Sequence, residues 1–271
     1  MQTETGAHDP MLLNTIELGP ENGDLSLPPV VFLHGLFGRA RNFGFFQRRI
    51  AATRRTLALD LRNHGQSPHG PMDYPALAAD VCETLATHDA LPATVVGHSM
   101  GGKTAMMLAL SFPADVHSLM VVDITPGAGG FSQSHQLARN LAALRLPDFL
   151  DRAGAEAWLG QVIAEKPVRD LMLMNLDLGE KPRWNIGLKE MAASMPAIIG
   201  WPDILPGTHY DGPTLFVAGG RSHYIQPDNY AAMRRLFPHY RLEIIPDAGH
   251  WVHAQAPQAF LTALEHFLRV A

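Results

Sequence analysis

The sequence predicts an α/β protein with a doubly wound, mostly parallel sheet and an inserted helical cap. Short apolar runs recur along the chain, and each is followed by a turn and a helical pattern, as in a parallel sheet. The runs are mostly continuous rather than alternating, which is typical of strands that helices cover on both faces. Residues 125–211 interrupt this alternation, so we expect an insertion there.

The expected elements of the sheet follow one another along the chain. The apolar runs lie at residues 30–33, 56–60, 94–97, 119–123, 214–218 and 242–245. Helical patterns lie at residues 76–88, 103–110 and 257–270. The last of these begins with a proline, which suits a first helical turn. Residues 11–18 are β-prone, and we expect them to form an antiparallel edge strand.

The insertion is expected to be a helical cap over one end of the sheet. Helical patterns lie at residues 132–144, 155–165 and 188–193. Prolines such as Pro196 are expected to separate them. On this interpretation residues 1–124 and 212–271 form the core domain, and residues 125–211 form the cap. The cap is rich in aromatic and methionine side chains, most of which are expected to pack against the core.

The composition is that of an ordinary globular protein, with 46% hydrophobic and 17% charged residues. The formal net charge is −5 and no run of basic residues occurs, so nucleic acid is not an expected partner. The N-terminal segment has no basic side chain and no following apolar region, so we expect no secretory signal and a cytoplasmic location. The apolar stretches are too short for a membrane span. The single cysteine, Cys82, excludes an internal disulfide.

The strongest chemical signal is the pentapeptide Gly-His-Ser-Met-Gly at residues 97–101, a G-x-S-x-G pattern. It stands after an expected strand and before an expected helix, which is the context of a nucleophile elbow. There the glycines allow a sharp turn, and the N-terminus of the helix favours developing negative charge. We therefore expect Ser99 to be a catalytic nucleophile.

A second glycine-rich loop, His-Gly-Leu-Phe-Gly at residues 34–38, follows the expected strand at residues 30–33. Acyl transfer needs two preorganised N–H donors for the developing oxyanion. The backbone amides of Leu36 and Met100 are the expected pair, because one follows His-Gly and the other follows the nucleophile. His34 is more suited to bracing this loop than to acting as a base.

The general base is expected in the sequence Asp-Ala-Gly-His-Trp at residues 247–251, between the last expected strand and the last helix. Catalytic groups collect at the carboxyl ends of parallel strands. His250 therefore stands out among the 14 histidines of the chain. His253, in the same loop, is the alternative base.

The ordered set HGLFG, DLRNHGQS, GHSMGG and DAGHW resembles the α/β-hydrolase family, and more closely its small capped esterase branch of abhydrolase-domain proteins. The resemblance covers nearly the whole chain and implies ester hydrolysis. The segment at residues 60–67 resembles the family's D-x-R-G-x-G-x-S turn, with Asn63 at the usual glycine. That turn is structural in the family, so its residues receive no catalytic role.

The expected position of the triad acid departs from the family pattern. Family members commonly hold this acid in a G-x-x-D sequence after the strand that corresponds to residues 214–218. Here that sequence is Gly-Gly-Arg-Ser at residues 219–222, and the hydroxyl of Ser222 cannot carry the charge that stabilises an imidazolium. The acid must then come from another strand end, unless the triad is degraded.

Asp123, at the end of the preceding expected strand, is the favoured acid, and some branches of the family place their acid there. It preserves the chain order Ser99, Asp123, His250. The competitors are Asp228, which a helix N-cap would explain, and Asp247, which an Asx turn would explain. With Asp123 as the acid, Ser222 is placed to hydrogen-bond the acid or the base as a fourth member.

The favoured function is a serine hydrolase that cleaves carboxylic esters or thioesters through an acyl-enzyme, without a cofactor or a metal ion. One alternative is a carbon–carbon bond hydrolase or a cofactor-free haloperoxidase-type enzyme of the same fold. Another is a ligand-binding relative without turnover. Arg183 in the cap could meet a substrate carboxylate or phosphate, although a surface salt bridge is favoured. The physiological substrate, its acyl chain length and the oligomeric state are left open by the sequence.

Overall fold

The computed structural model describes residues 9–20, 26–129 and 132–271. The strands are β1 (Thr15–Leu18), β2 (Val30–Leu33), β3 (Thr56–Leu59), β4 (Ala93–His98), β5 (Val116–Val122), β6 (Phe149–Leu150), β7 (Leu176–Asp177), β8 (Gly179–Glu180), β9 (Arg183–Trp184), β10 (Thr214–Gly219) and β11 (Tyr240–Ile245). The helices are α1 (Gly44–Ile50), α2 (Tyr74–Thr87), α3 (Met100–Ser111), α4 (Ser132–Ala143), α5 (Arg152–Gly160), α6 (Lys166–Leu173), α7 (Leu188–Ile199), α8 (Tyr230–Leu236), α9 (Val252–Gln255) and α10 (Pro257–Val270). Across these ranges, every helix is too short or too polar to cross a lipid bilayer.

The main sheet has seven strands in the order β1-β3-β2-β4-β5-β10-β11. All neighbours in it run parallel except β1 and β3, which pair antiparallel from Thr15 opposite Leu59. The doubly wound, mostly parallel sheet and its antiparallel edge strand are therefore confirmed. Because β4, β5, β10 and β11 are successive neighbours, the loops after them meet at one edge of the sheet.

Both faces of the sheet are covered, which explains why its central strands are continuous apolar runs. In β2, Val31 and Leu33 face a cluster that includes residues of α2 and α3. Val30 and Phe32 face a second cluster that includes residues of α1 and α10. These four β2 side chains are fully buried. Each such burial stabilises the fold by about 1.5–3 kcal/mol relative to exposure.

The last strand of the sheet differs from the expectation of strands buried on both faces. β11 is an edge strand whose residues alternate between partly buried and exposed over most of its length. Ile244 is 54% exposed. An apolar run predicts a strand, but only the strand order decides whether that strand has a neighbour on each side.

The segment between β5 and β10, residues 125–211, is called the cap segment below. It contains α4 to α7 and two small antiparallel pairs, β6 with β8 and β7 with β9. Pro196 was expected to end a helix, but it lies inside α7. Buried Met191, Met195 and Ile198 anchor that helix, so tertiary packing outweighs the local preference of proline. The division into a core domain and a cap domain at residues 124/125 and 211/212 stays a prediction.

Candidate active site

Ser99 lies in a sharp turn between β4 and α3. Its φ of 54° and ψ of −116° form a sparsely populated conformation that costs on the order of 1–3 kcal/mol. A Cβ atom added at Gly97 would lie 2.2 Å from the carbonyl oxygen of Gly101, and one added at Gly101 would lie 2.3 Å from that of Leu33. The turn therefore requires both glycines. The Ser99 side chain makes no capping hydrogen bond to α3, which leaves its hydroxyl for another partner.

That partner is His250, in the loop after β11. The Nε2 atom of His250 lies 2.9 Å from Ser99 Oγ, and its Nδ1 atom lies 2.8 Å from Asp123 Oδ2. Asp123 is completely buried, whereas 17% of the His250 side chain is exposed. The carboxylate orients the ring so that Nδ1 donates to Asp123 and Nε2 accepts from the Ser99 hydroxyl. The three residues expected from the sequence are thus brought into one hydrogen-bonded chain.

Sheet register explains why Ser99 and Asp123 meet. His98 at the end of β4 pairs with Val122 at the end of the neighbouring strand β5. Ser99 directly follows β4, and Asp123 directly follows β5. The Ser99 amide also donates to the Val122 carbonyl oxygen at 3.0 Å. An acid that follows β5 therefore stands one strand spacing from the serine that follows β4.

The buried carboxylate of Asp123 accepts hydrogen bonds from three groups. Besides His250, the Gly219 amide donates to Oδ1 at 2.9 Å and the Ser222 hydroxyl donates to Oδ2. Such donors are what a buried charge needs. Ser222 therefore contacts the acid rather than the base, at the position where the family commonly has its own acid.

The competing acids lie elsewhere and have other partners. Asp247 forms a surface ion pair with Arg221, with 2.8 Å between Oδ1 and Nη2. Asp228 is exposed in the short 3₁₀ turn Pro227–Asn229, where Gln226 is the N-cap. The N-cap explanation of Asp228 is therefore wrong, and the Asx-turn explanation of Asp247 stays a prediction. Neither aspartate contacts His250 among the described residues.

Two aromatic neighbours that the sequence does not single out hold His250. The ring of Tyr224 stacks on that of His250, with 3.8 Å between centroids and 14° between planes. The Nε2 atom of His98 donates to the His250 carbonyl oxygen at 2.8 Å. Burial, reinforced by His253, holds the pKa of His98 well below its usual range, so this ring is neutral. His98 is the first x of the G-x-S-x-G pattern, a position at which the pattern specifies no residue. The sequence therefore does not indicate this role.

His253, the alternative base, is a packing residue. Its ring stacks on Phe43 with 4.9 Å between centroids and lies edge-on to His98. Burial lowers the pKa of His253 to about 4. Within the described ranges its buried Nδ1 has no hydrogen-bond partner, and the ring makes no contact with Ser99 Oγ of the kind that His250 makes.

The loop at residues 34–38, which holds the Leu36 amide, runs close to Ser99. The carbonyl oxygen of Gly35 accepts from His34 Nδ1 at 2.8 Å and from the Gly38 amide at 2.9 Å. Because the N–H and C=O of a trans peptide point in opposite directions, the Leu36 amide faces away from these donors. A Cβ atom added at Gly35 would lie 3.3 Å from Ser99 Cβ, so the loop passes directly over the serine.

Two histidines fix this loop from behind. His34 Nε2 accepts from the Leu61 amide at 3.0 Å, so His34 braces the loop as expected. His64 Nε2 accepts from the Phe37 amide at 3.1 Å. His64 belongs to the DLRNHGQS segment, in which Asn63 has a positive φ of 69°. The role of His64 depends on a contact between distant segments and has no local sequence signal.

Ser99 opens into a cavity of about 850 Å³ between the core and the cap segment. The cap side contributes α4 and residues 162–171, including Leu137, Val168 and Leu171. Glu165 is the one carboxylate of the described lining, which contains neither lysine nor arginine. Arg183 is not part of this lining: it pairs with Asp177 at 2.8 Å on the exposed surface, as the favoured interpretation holds.

Comparisons with known proteins agree with this geometry. A family model described as the alpha/beta hydrolase fold matches residues 28–257. The mouse protein named sn-1-specific diacylglycerol lipase ABHD11 is 40% identical over 258 residues, which cover 91% of this chain and 83% of the mouse protein. The Escherichia coli protein named esterase YbfF is 34% identical over 241 residues, which cover 89% of this chain and 92% of that protein.

A solved structure described as a marine microorganism esterase superposes with a TM-score of 0.88. It is 29% identical in sequence, and the match covers 95% of this chain and 99% of that one. Fold, family model and relatives therefore agree. The chain belongs to the α/β-hydrolase family, among its abhydrolase-domain esterases, and is a carboxylesterase-type hydrolase.

Proposed function

We propose that the protein cleaves uncharged carboxylic esters through a Ser99–His250–Asp123 triad and an acyl-enzyme intermediate. The observation that carries the proposal is the unbroken chain of hydrogen bonds from Ser99 Oγ through both ring nitrogens of His250 to Asp123. A nucleophile, a base and an orienting acid in this order are the parts that serine acyl transfer needs.

Each part then has a role in the reaction. His250 Nε2 takes the proton of Ser99 as Oγ attacks the ester carbonyl carbon, and Asp123 stabilises the imidazolium that forms. The amides of Leu36 and Met100 donate to the oxyanion. Collapse of the tetrahedral intermediate expels the alcohol, which receives the proton from His250. Water, activated by the same ring, then attacks the acyl-enzyme and releases the carboxylic acid.

Ser222 supports the acid in this mechanism. Its hydroxyl donates to the same oxygen of Asp123 that faces His250, while the Gly219 amide holds the other oxygen. Together they hold both oxygens of the carboxylate while His250 Nδ1 donates to one of them. A serine at this position therefore supports an acid on the neighbouring strand instead of supplying one.

The substrate class follows from the charge of the cavity. Without lysine or arginine in its described lining, the cavity offers no permanently charged cationic side chain to pair with a carboxylate or phosphate, and Glu165 would repel one. Burying an unpaired anion is strongly unfavourable. A neutral ester of small to medium size fits this lining. The relatives' names, a diacylglycerol lipase and an esterase, support a neutral ester.

We expect p-nitrophenyl hexanoate to be hydrolysed with a kcat/KM at least about tenfold above that of p-nitrophenyl hydrogen adipate. The two differ only by a terminal carboxylate in place of a methyl group, and tenfold corresponds to only about 1.4 kcal/mol of desolvation. Initial rates across a substrate series measure the ratio, and a matched acyl thioester shows whether thioesters are also cleaved.

The Arg183→Ala variant is the control, since Arg183 lies outside the cavity lining, and its ratio should equal that of the parent protein. A preference for the adipate ester that disappears in Arg183→Ala would show that the cap segment recognises charge, contrary to the proposal.

The cytoplasmic location stays a prediction from the sequence.

A further inference from the structure

A hydrogen bond joins the cap segment to the loop at residues 34–38. Asn175, which follows α6, donates from Nδ2 to the Phe37 carbonyl oxygen at 2.7 Å and to the Leu171 carbonyl oxygen at 3.0 Å. Both partners are acceptors, so the amide nitrogen, rather than the oxygen, must face them. The Asn175 side chain is 1% exposed, which shields the bond to Phe37 from water.

The other end of the same amide has no partner. Asn175 Oδ1 is buried, and within the described ranges it accepts no hydrogen bond. A buried orphan acceptor destabilises a fold, and an apolar side chain would avoid it. Of the two hydrogen bonds that distinguish asparagine from an apolar residue here, the one to Leu171 stays within the cap segment and the one to Phe37 crosses to the core.

Phe37 needs to be held in place. It is the third residue of the turn that the Gly38 amide closes on the Gly35 carbonyl oxygen, and its φ is 63°. Bulky residues rarely adopt this left-handed region, where glycine is favoured. Its amide donates to His64 and its carbonyl accepts from Asn175, so both of its backbone polar groups are fixed by distant side chains.

The strained turn also contains Leu36, whose amide is the proposed oxyanion donor of the loop. Relaxation of Phe37 to a negative φ would change the path of the turn and with it the direction of the Leu36 amide. The core supplies one restraint, through His64, and the cap segment supplies the other.

We infer that Asn175 is a positioning residue that acts through Phe37 to keep the Leu36 amide directed at the oxyanion. The oxyanion hole is therefore complete only when the cap segment is docked on the core. This inference rests on the proposed function, because it assigns a role relative to the same reaction.

Two variants of Asn175 test it: Asn175→Ala removes the donor, and Asn175→Asp keeps the size but replaces the donor by an acceptor. Loss of a whole oxyanion donor lowers kcat by about 10²–10³-fold, so displacement of one is expected to lower kcat by about tenfold or more. KM for p-nitrophenyl hexanoate should stay within about twofold. Binding of an alkyl trifluoromethyl ketone, whose adduct oxyanion occupies the hole, should weaken by about the same factor as kcat.

Asn185→Ala is the matched control. Asn185 is also a cap-segment asparagine, and its Nδ2 donates to Asp177 Oδ1 at 2.6 Å rather than to the loop. It should retain parental kcat and ketone affinity. If Asn175 only stabilised the fold, its variants would contain less folded protein, but the folded molecules would keep parental kcat. Active-site titration therefore corrects every rate for the fraction of folded protein.

Phe37→Gly supplies the second background, because glycine adopts a positive φ without strain. In that background the further change Asn175→Ala should lower kcat by less than about threefold. The inference would be overturned if Asn175→Ala lowered kcat equally in the parent and in the Phe37→Gly background. It would also be overturned if both Asn175 variants kept parental kcat, or if both failed to fold. If Ser99→Ala kept parental activity, the proposed function itself would be contradicted, whatever the Asn175 variants showed. If Ser99→Ala were inactive while Asn175→Ala was parental, only this inference would fail.

Discussion

The Ser99→Ala variant is expected to lose about four to six orders of magnitude in kcat for p-nitrophenyl hexanoate, as removal of a triad serine does in other hydrolases. The reason is that Ser99 Oγ is the atom that His250 Nε2 faces at 2.9 Å, in the one strand-to-helix turn of the described chain that has the G-x-S-x-G pattern. The remaining donors could still polarise a bound ester, so a small residual rate above the uncatalysed reaction is expected.

Ser111→Ala is the matched control for this change. Ser111 lies at the other end of the same helix, α3, is exposed and has no contact with His250. Both variants should unfold thermally within a few degrees of the parent protein. A folded Ser99→Ala protein with near-parental turnover would show that another group is the nucleophile.

The Asp123→Asn variant is expected to lower kcat by about four orders of magnitude, with a much smaller change in KM. An asparagine amide at this site would present either a donor or an uncharged acceptor to His250 Nδ1. It would therefore favour the wrong ring tautomer and give no charge stabilisation to the imidazolium. Steady-state kinetics with p-nitrophenyl hexanoate, on protein checked for native folding, measure the effect.

Three further variants make this prediction specific. Asp228→Asn and Asp247→Asn should keep most of the parental turnover, because neither side chain contacts His250. Ser222→Ala should give an intermediate loss of about tenfold, since it removes one of the hydrogen bonds to the carboxylate. A collapse of kcat in Asp228→Asn or Asp247→Asn, with Asp123→Asn nearly unaffected, would overturn the assignment of the acid.

The parts of the site that could be predicted are those whose cause is local or topological. Gly97 and Gly101 are required by contacts within one turn, so the pentapeptide indicates the turn by itself. Asp123 follows from strand order: a run that ends beside the run before Ser99 must place its next residue at the same sheet edge. His250 was found in the same way, from its position after the last strand.

The parts that could not be predicted depend on contacts between distant segments. His98 meets the His250 carbonyl across 152 positions, and Asn175 meets Phe37 across 138. No periodicity or spacing encodes such pairs, because each partner looks ordinary in its own segment. Two features of the fold have the same kind of cause. Ile244 is exposed because β11 is an edge strand, and Pro196 lies inside α7 because the buried side chains of that helix pack against other elements.

Covalent labelling with an alkyl fluorophosphonate tests whether Ser99 is an activated nucleophile. A pocket alone does not give this reaction. Covalent capture requires a serine hydroxyl whose proton an adjacent base can accept during attack, and a formed oxyanion hole. Intact mass followed by peptide mapping of the parent protein should show one adduct per chain, on the peptide that contains Ser99. The Ser99→Ala protein should remain unlabelled. An adduct on another residue, or undiminished labelling of Ser99→Ala, would contradict the assignment.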